Sequence, residues 1–173
     1  KEMHNIVNGI DVEFAGTRFD EEKTKSMMNN YSYLNGRPIT KSMLVWWAMN
    51  MENQEIPSLS TPFEIEHIYA RNRNDKENSL SKASNIELLG NKAILEKRIN
   101  IRASDYRFED KKKYYLGYTN KRNEKKAGTA NKELENFAKD TSRIDFNEQD
   151  IMTRTKTILE AFLEYIRQEK LFV

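Results

Sequence analysis

The spacing of apolar residues along the chain predicts a mostly helical protein. Met27, Met28, Tyr31 and Leu34 recur at helical intervals, which indicates a helix that buries one face. The last helix has the clearest apolar stripe, and it follows a capping sequence that begins at Asp145. Helices are therefore predicted over residues 20–34, 41–52, 91–101, 107–117 and 131–140, and along the last stripe.

Two short strands interrupt this helical pattern. The stretch FEIEHIYA, residues 63–70, has the composition of a buried strand, and a second strand is predicted over residues 85–89 before Gly90. The polar stretches 71–84 and 118–130 are predicted to be loops. We therefore expect an α+β fold that is predominantly α-helical, with a small ββα unit in a helical domain.

This pattern divides a single predicted domain into three parts. An N-terminal helical part covers residues 1–62, and the ββα core covers residues 63–117. A C-terminal loop and helices, residues 118–173, are expected to pack on that core. The chain starts with a lysine and no signal peptide follows, so we expect it to be the C-terminal piece of a larger protein.

Composition narrows the choice of function. The 173 residues are 38% hydrophobic and 32% charged, which suits a folded domain with its own core. The sequence has no cysteine, so disulfides and zinc–cysteine sites are excluded, and the composition fits a reducing cytoplasm. No apolar run approaches the ~18–20 residues that span a bilayer, so we expect no membrane partner.

Charge is distributed unevenly along the chain. The net charge is only +2, but residues 92–126 contain twelve Lys or Arg and five Asp or Glu, a balance of +7. The remaining residues therefore carry −5. A basic segment in an otherwise acidic chain indicates either a polyanionic partner or a solvated helix face.

The pair Glu66-His67 is unusual because the sequence has only two histidines. It is either a polar edge on an ordinary strand or part of a reactive site. Two asparagines follow in order: Asn91 comes directly after Gly90, and Asn100 lies nine residues further on. This order, an acid–histidine pair followed by two asparagines, resembles the motif of the HNH, or ββα-metal, nucleases.

The sequences around these motif residues resemble one group of these nucleases in particular. The stretches IEHIYAR, LLGNKAILEKRIN and FEDKKKYY are similar to the C-terminal nuclease domain of GmrSD-type, modification-dependent restriction enzymes. The specific resemblance covers residues 63–115, and the C-terminal stretch is similar to that family's closing helix. The resemblance implies a Mg²⁺-dependent endonuclease that cuts or nicks DNA.

Site residues follow from this resemblance. It implies that His67 is the general base, that Glu66 and Asn100 are metal ligands and that Asn91 orients His67. A basic side chain in the F-x-x-K element is expected to contact phosphate. The expected phosphate contacts are Lys111, and more loosely Arg98 and Arg102.

The residue types suit this chemistry. A neutral imidazole is a suitable base near pH 7, and Mg²⁺, with Mn²⁺ or another divalent cation as an alternative, takes oxygen ligands and keeps several waters. Asp105 is a spare carboxylate that is able to replace or supplement Glu66. Adjacent residues on a strand point to opposite faces, so the strand must end or twist if Glu66 and His67 serve one site.

The resemblance also implies partners outside this chain. Such nuclease domains follow an N-terminal domain that uses nucleotide and senses foreign DNA, which indicates a cytoplasmic role in anti-phage defence. One HNH site cuts one strand per event, so a double-strand break requires a homo-oligomer or two visits. Two alternatives stay open: a nucleic-acid-binding module without catalysis, and a helical interaction domain.

Overall fold

The computed structural model describes residue 8 and residues 18–55 and 60–172; parts of the predicted N-terminal segment lie outside these ranges. Seven α-helices and four strands occur in the described part. The helices are α1 (Glu21–Asn30), α2 (Pro38–Met49), α3 (Arg71–Glu77), α4 (Lys97–Ala103), α5 (Phe108–Leu116), α6 (Lys132–Lys139) and α7 (Glu148–Gln168). The strands are β1 (Phe63–His67), β2 (Lys92–Glu96), β3 (Gly117–Thr119) and β4 (Lys125–Ala127).

The larger of two compact units, residues 32–158, contains the ββα arrangement. Strands β1 and β2 pair antiparallel, with Phe63 opposite Glu96 and His67 opposite Lys92. Helix α4 follows β2 directly. The predicted fold class, mainly helical α+β, is therefore confirmed. The buried core of this unit consists of Ile68, Tyr69, Leu80, Ala93, Leu95, Ile99, Ala103, Phe108, Tyr115, Leu134, Ala138, Phe146 and Ile151.

Strand β2 lies later in the chain than predicted. Residues 85–89 belong largely to two short 3₁₀ turns, Ala83–Glu87 and Leu89–Asn91, and β2 starts at Lys92, inside the predicted helix 91–101. The first four residues of β2 are all buried, so the strand lacks the polar–apolar alternation of a half-exposed strand. A short run of this kind has no period that distinguishes strand from helix.

Two stretches predicted to be loops contain regular structure. Helix α3 lies within residues 71–84, and ion pairs support it in place of an apolar face: Arg73 pairs with Glu77 at 2.9 Å and with Asp145 at 2.7 Å. The second stretch contains the hairpin of β3 and β4. Gly117, where β3 starts, has φ of +83°, a backbone conformation that residues other than glycine rarely adopt.

The first part of helix α7 packs directly against the segment before β2. A Cβ atom on Gly90 would lie 2.1 Å from the Ile151 carbonyl oxygen and 2.5 Å from the Thr155 nitrogen. Arg154 is buried beside this contact. Its guanidinium donates to the carbonyl oxygens of Gly90 at 2.8 Å and Lys92 at 2.7 Å. The backbone of Gly90 is therefore in direct contact with the backbone of α7, and Arg154 fixes the segment that leads into β2.

The smaller unit is drawn from residues 1–31 and 159–173. Asp20 caps helix α1 by accepting a hydrogen bond from the Lys23 backbone N–H at 2.8 Å. Phe19 forms a β-bridge with Phe172, and Arg167 pairs with Glu21. Among the described residues, no helix has both the length and the apolar character that crossing a membrane requires.

Candidate active site

Four of the residues predicted to form the site, Glu66, His67, Asn100 and Lys111, border one open cavity of about 230 Å³. The cavity lies in the larger unit, between the end of β1, helix α4 and the start of α5. It contains Glu66, His67 and Asn100, as the motif predicts, and the candidate ligand Asp105. The full lining is Ile65, Glu66, His67, Ala70, Arg71, Asn100, Ser104, Asp105 and Lys111.

Glu66 and His67 reach the same cavity because β1 ends at His67. His67 faces Lys92 at the last paired position of the sheet, and the chain then turns into α3. Strand geometry no longer forces neighbours to opposite faces once the pairing stops. The strand therefore ends where the shared site requires it to end.

The Glu66 carboxylate is almost fully buried and is held by helix α5. Its Oε1 accepts hydrogen bonds from Lys111 Nζ and from the Tyr115 hydroxyl, both at 2.7 Å. Burial raises the pKa of Glu66, and the Lys111 ammonium acts in the opposite direction. Burial also raises the pKa of Tyr115, so this hydroxyl remains a donor.

Lys111 does not have the surroundings expected of a phosphate contact. Its side chain is 1% exposed, and its ammonium also donates to the His67 carbonyl oxygen at 2.6 Å. A lysine that binds a DNA phosphate needs an exposed ammonium, whereas this one neutralises a buried carboxylate. These contacts favour a positioning role at the end of β1, and the phosphate contact stays a prediction.

His67 carries a neutral imidazole at pH 7. Burial lowers its pKa to about 4, with further lowering from the positive charges of Arg71 and Lys92 and an opposing contribution from Glu87. Its Nε2 atom is buried without a hydrogen-bond partner and lies 3.8 Å from Glu87 Oε2. A neutral ring has one nitrogen with a free lone pair, and that nitrogen is able to accept a proton from water.

Asn91 contacts backbone rather than the His67 ring, so an effect of Asn91 on the orientation of His67 acts through the backbone. Its Oδ1 accepts from the Tyr69 backbone N–H at 2.7 Å, and its Nδ2 donates to the carbonyl oxygens of Tyr69 and Ile86. The chain leaves the sheet here inside the core, where its peptide groups need partners. Asn91 supplies them and fixes the backbone just beyond His67.

Asn100 projects from helix α4 and is held by a residue that the motif did not indicate. Its Nδ2 donates to Glu64 Oε2 at 3.1 Å, which lowers the pKa of Glu64. Glu64 lies two residues before Glu66, on the same face of β1. The hydrogen bond occupies the amide nitrogen of Asn100 and leaves its amide oxygen available as a ligand.

The oxygen donors on this cavity are of the kind that a hard divalent cation takes, with water completing its shell. Glu66, Asp105 and Asn100 offer oxygen atoms on one cavity. Within the described ranges, no three His, Cys, Asp or Glu side chains gather as a metal-binding group. An ion held here therefore depends on two carboxylates, one amide and water. Ser104, beside Asp105, has φ of +43°, a strained conformation of the kind found at functional sites.

Several polar residues around His67 were not anticipated from the sequence. Glu87 accepts from Arg71 at 2.5 Å and from Lys92 at 2.6 Å. Lys92 is completely buried although it is charged. The only sequence signal for this group is a lysine at the head of an apolar run, which on its own predicts nothing.

The other two predicted phosphate contacts lie on a different cavity. Arg98 and Arg102 project from helix α4 into a space of about 560 Å³, together with Lys97. Arg102 also lies over the Tyr118 ring at 5.8 Å, on the β3–β4 hairpin. Helix α4 thus contributes to both cavities, with Asn100 on one and three cations on the other.

Comparison with known proteins identifies one family. The family model described as GmrSD restriction endonucleases, C-terminal domain, matches residues 17–161. Comparison with curated proteins and with solved structures gave no significant match.

Proposed function

Because the chain belongs to the family of GmrSD restriction endonuclease C-terminal domains, we propose that it is an HNH endonuclease domain that hydrolyses DNA phosphodiester bonds. The observation that carries the proposal is the cavity shared by three groups. It joins the neutral His67 imidazole to the oxygen donors of Glu66 and Asn100. A base and a cation site on one cavity are what this reaction requires.

In the proposed reaction, His67 takes a proton from a water molecule, and that water attacks the phosphorus as the bond to the leaving oxygen breaks. Lys111 and Tyr115 hold the Glu66 carboxylate in place, and Asn91 fixes the backbone that positions His67. A Mg²⁺ ion held by Glu66, Asn100 and Asp105 would neutralise the charge that develops on the phosphate oxygens. Mn²⁺ is a second candidate ion.

Plasmid nicking tests this proposal. Supercoiled plasmid incubated with the protein and Mg²⁺ should be converted to nicked circles, and EDTA should stop the conversion. His67→Ala should lower the rate by about 10²–10⁴-fold, because the base is lost. The His67 side chain is only 10% exposed, so the thermal unfolding midpoint of the variant is measured alongside to show that it is folded.

Equal nicking by the two proteins would remove His67 from the reaction. DNA binding without cleavage in either Mg²⁺ or Mn²⁺ would favour the alternative, a nucleic-acid-binding module without catalysis. The Lys111 ammonium on the Glu66 carboxylate is the feature that favours this alternative, since it already balances the charge of a proposed metal ligand.

The cationic cavity on helix α4 is the proposed path of the DNA backbone. Arg98 is exposed and Arg102 is half-buried beside Tyr118. The hairpin that carries Tyr118 adds further positive charge. Its basic residues are Lys121, Arg122, Lys125 and Lys126. Because α4 also carries Asn100, DNA bound along this helix would bring a phosphate to the cavity of His67.

Salt dependence tests this path. The double variant Arg98→Ala/Arg102→Ala should bind DNA more weakly, and the slope of log affinity against log salt should become shallower by roughly 0.9 for each phosphate that the variant no longer neutralises. The matched control is Lys76→Ala/Lys139→Ala, which removes two exposed cations that do not line either cavity. An unchanged slope in the first double variant would contradict the proposed path.

The biological setting is proposed on the family alone. We propose that the domain belongs to an anti-phage restriction protein of the cytoplasm, and that it lies C-terminal to a domain that uses nucleotide and recognises the DNA to be cut. A double-strand break by a single-site domain requires two copies or two successive nicks.

A further inference from the structure

His67 Nε2 is a buried polar atom for which no hydrogen bond is formed. A buried ring nitrogen without a partner costs free energy, so its presence beside a proposed reaction site needs an explanation. A carboxylate oxygen, Glu87 Oε2, lies 3.8 Å away. This separation is too long for a hydrogen bond, so the two atoms have to approach each other before they pair.

Glu87 is fixed more firmly than the histidine that it faces. Its Oε1 accepts from Arg71 at 2.5 Å and its Oε2 from Lys92 at 2.6 Å. Lys92 is itself anchored, because it is fully buried and also donates to the Tyr33 carbonyl oxygen. Burial alone would raise the pKa of Glu87, but Lys92, His67 and Arg71 hold it below its ordinary value.

We propose that Glu87 is the positioning residue of His67: it accepts the Nε2 proton of the ring and so leaves the Nδ1 lone pair for the attacking water. This inference rests on the proposed nuclease function and adds a direct contact with the ring to the backbone support that Asn91 provides. An anchored carboxylate selects one tautomer of a neutral imidazole, because only a protonated Nε2 is able to donate to it. It also stabilises the positive charge that the ring gains when it takes a proton.

The tautomer of His67 is directly measurable without any nuclease activity. Long-range ¹H–¹⁵N NMR on histidine-labelled protein at pH 7.5 distinguishes the two ring nitrogens. The sequence has only two histidines, so a His4→Gln variant assigns the His67 signals. The wild-type ring should be in the Nε2–H form, and Glu87→Gln should shift it toward a mixture of the two forms. A wild-type ring in the Nδ1–H form, or an unchanged tautomer in the variant, would overturn the proposal.

Kinetics provide the second readout. Glu87→Gln should lower kcat for nicking at least about 10-fold and leave KM for plasmid within about twofold, because the base is misoriented while DNA binding is unaffected. Glu77→Gln is the matched control: Glu77 also pairs with two arginines, Arg73 and Arg107, and does not line the cavity. A parallel fall in kcat for both variants would count against a specific role of Glu87.

Loss of the Glu87 charge leaves Lys92 buried without its partner, and the single variant is at risk of unfolding. The double variant Glu87→Gln/Lys92→Met removes both charges and keeps the tautomer experiment possible. If the wild-type chain shows no nicking at all, the nuclease proposal fails. The NMR result would still decide whether Glu87 positions the ring.

Discussion

Replacing Arg154 by methionine should lower the free energy of unfolding by about 3–5 kcal/mol, because the change leaves a buried charge unpaired. Arg154 and Glu133 form a two-point ion pair, with Nε to Oε1 at 2.7 Å and Nη2 to Oε2 at 2.6 Å. Both side chains are more than nine-tenths buried. The substitution also removes the guanidinium that donates to the carbonyl oxygens of Gly90 and Lys92.

Urea unfolding measures this loss. Arg143→Met is the matched control, since Arg143 also bonds a carboxylate, that of Asp150, but its side chain is 27% exposed. That change should cost about 1 kcal/mol or less. The double variant Arg154→Met/Glu133→Gln should recover part of the stability, and the unrecovered part belongs to the carbonyls of Gly90 and Lys92. Equal losses of unfolding free energy for Arg154→Met and Arg143→Met would show that the buried ion pair stabilises the fold no more than the partly exposed one.

Lys111→Met should have a comparable effect, and it separates two roles for this lysine. If Lys111 serves the buried Glu66 carboxylate, its loss costs about 3–5 kcal/mol and DNA affinity of the folded protein stays close to wild type. If it contacts phosphate, stability changes little and DNA affinity falls. The contacts with Glu66 and with the His67 carbonyl favour the first outcome.

Two further variants test the Lys111 prediction. Lys113→Met removes a neighbouring exposed lysine of the same helix and should leave stability within about 0.5 kcal/mol. Lys111→Met/Glu66→Gln removes both buried charges and should be more stable than Lys111→Met alone. Nicking should be lost in that double variant, since Glu66 is a proposed metal ligand. A double variant no more stable than the single one would contradict the ion-pair argument.

The parts of the fold that the sequence predicted correctly are those with a clear period or motif. Strand β1 and helix α7 have apolar residues at regular spacing, and the structure places both where that spacing indicates. Strand β2 was misplaced because it is buried on both faces. Helix α3 was missed because it depends on ion pairs such as Arg73 with Asp145, 72 residues apart. Contacts at such separation leave no local pattern.

The site shows the same division. The order of the motif residues was enough to predict that Glu66, His67 and Asn100 lie on one cavity, because β1, β2 and the helix that follows have a fixed geometry once the strands pair. The atoms that each side chain contacts could not be predicted from that order. Asn91 bonds backbone and Lys111 is buried, whereas Glu87, which no motif marked, lies beside the histidine.

The close contact of Gly90 with helix α7 has a consequence for when the site is able to form. Residues 148–158 lie more than 50 positions after Asn91, yet their backbone and the Arg154 side chain support the segment that leads into β2. During synthesis, a chain that has emerged only to residue 140 already contains every motif residue, but Gly90 and the carbonyls beside it have no partner. We therefore expect a chain that ends before α7 to leave the start of β2, and with it the cavity of His67, without its support.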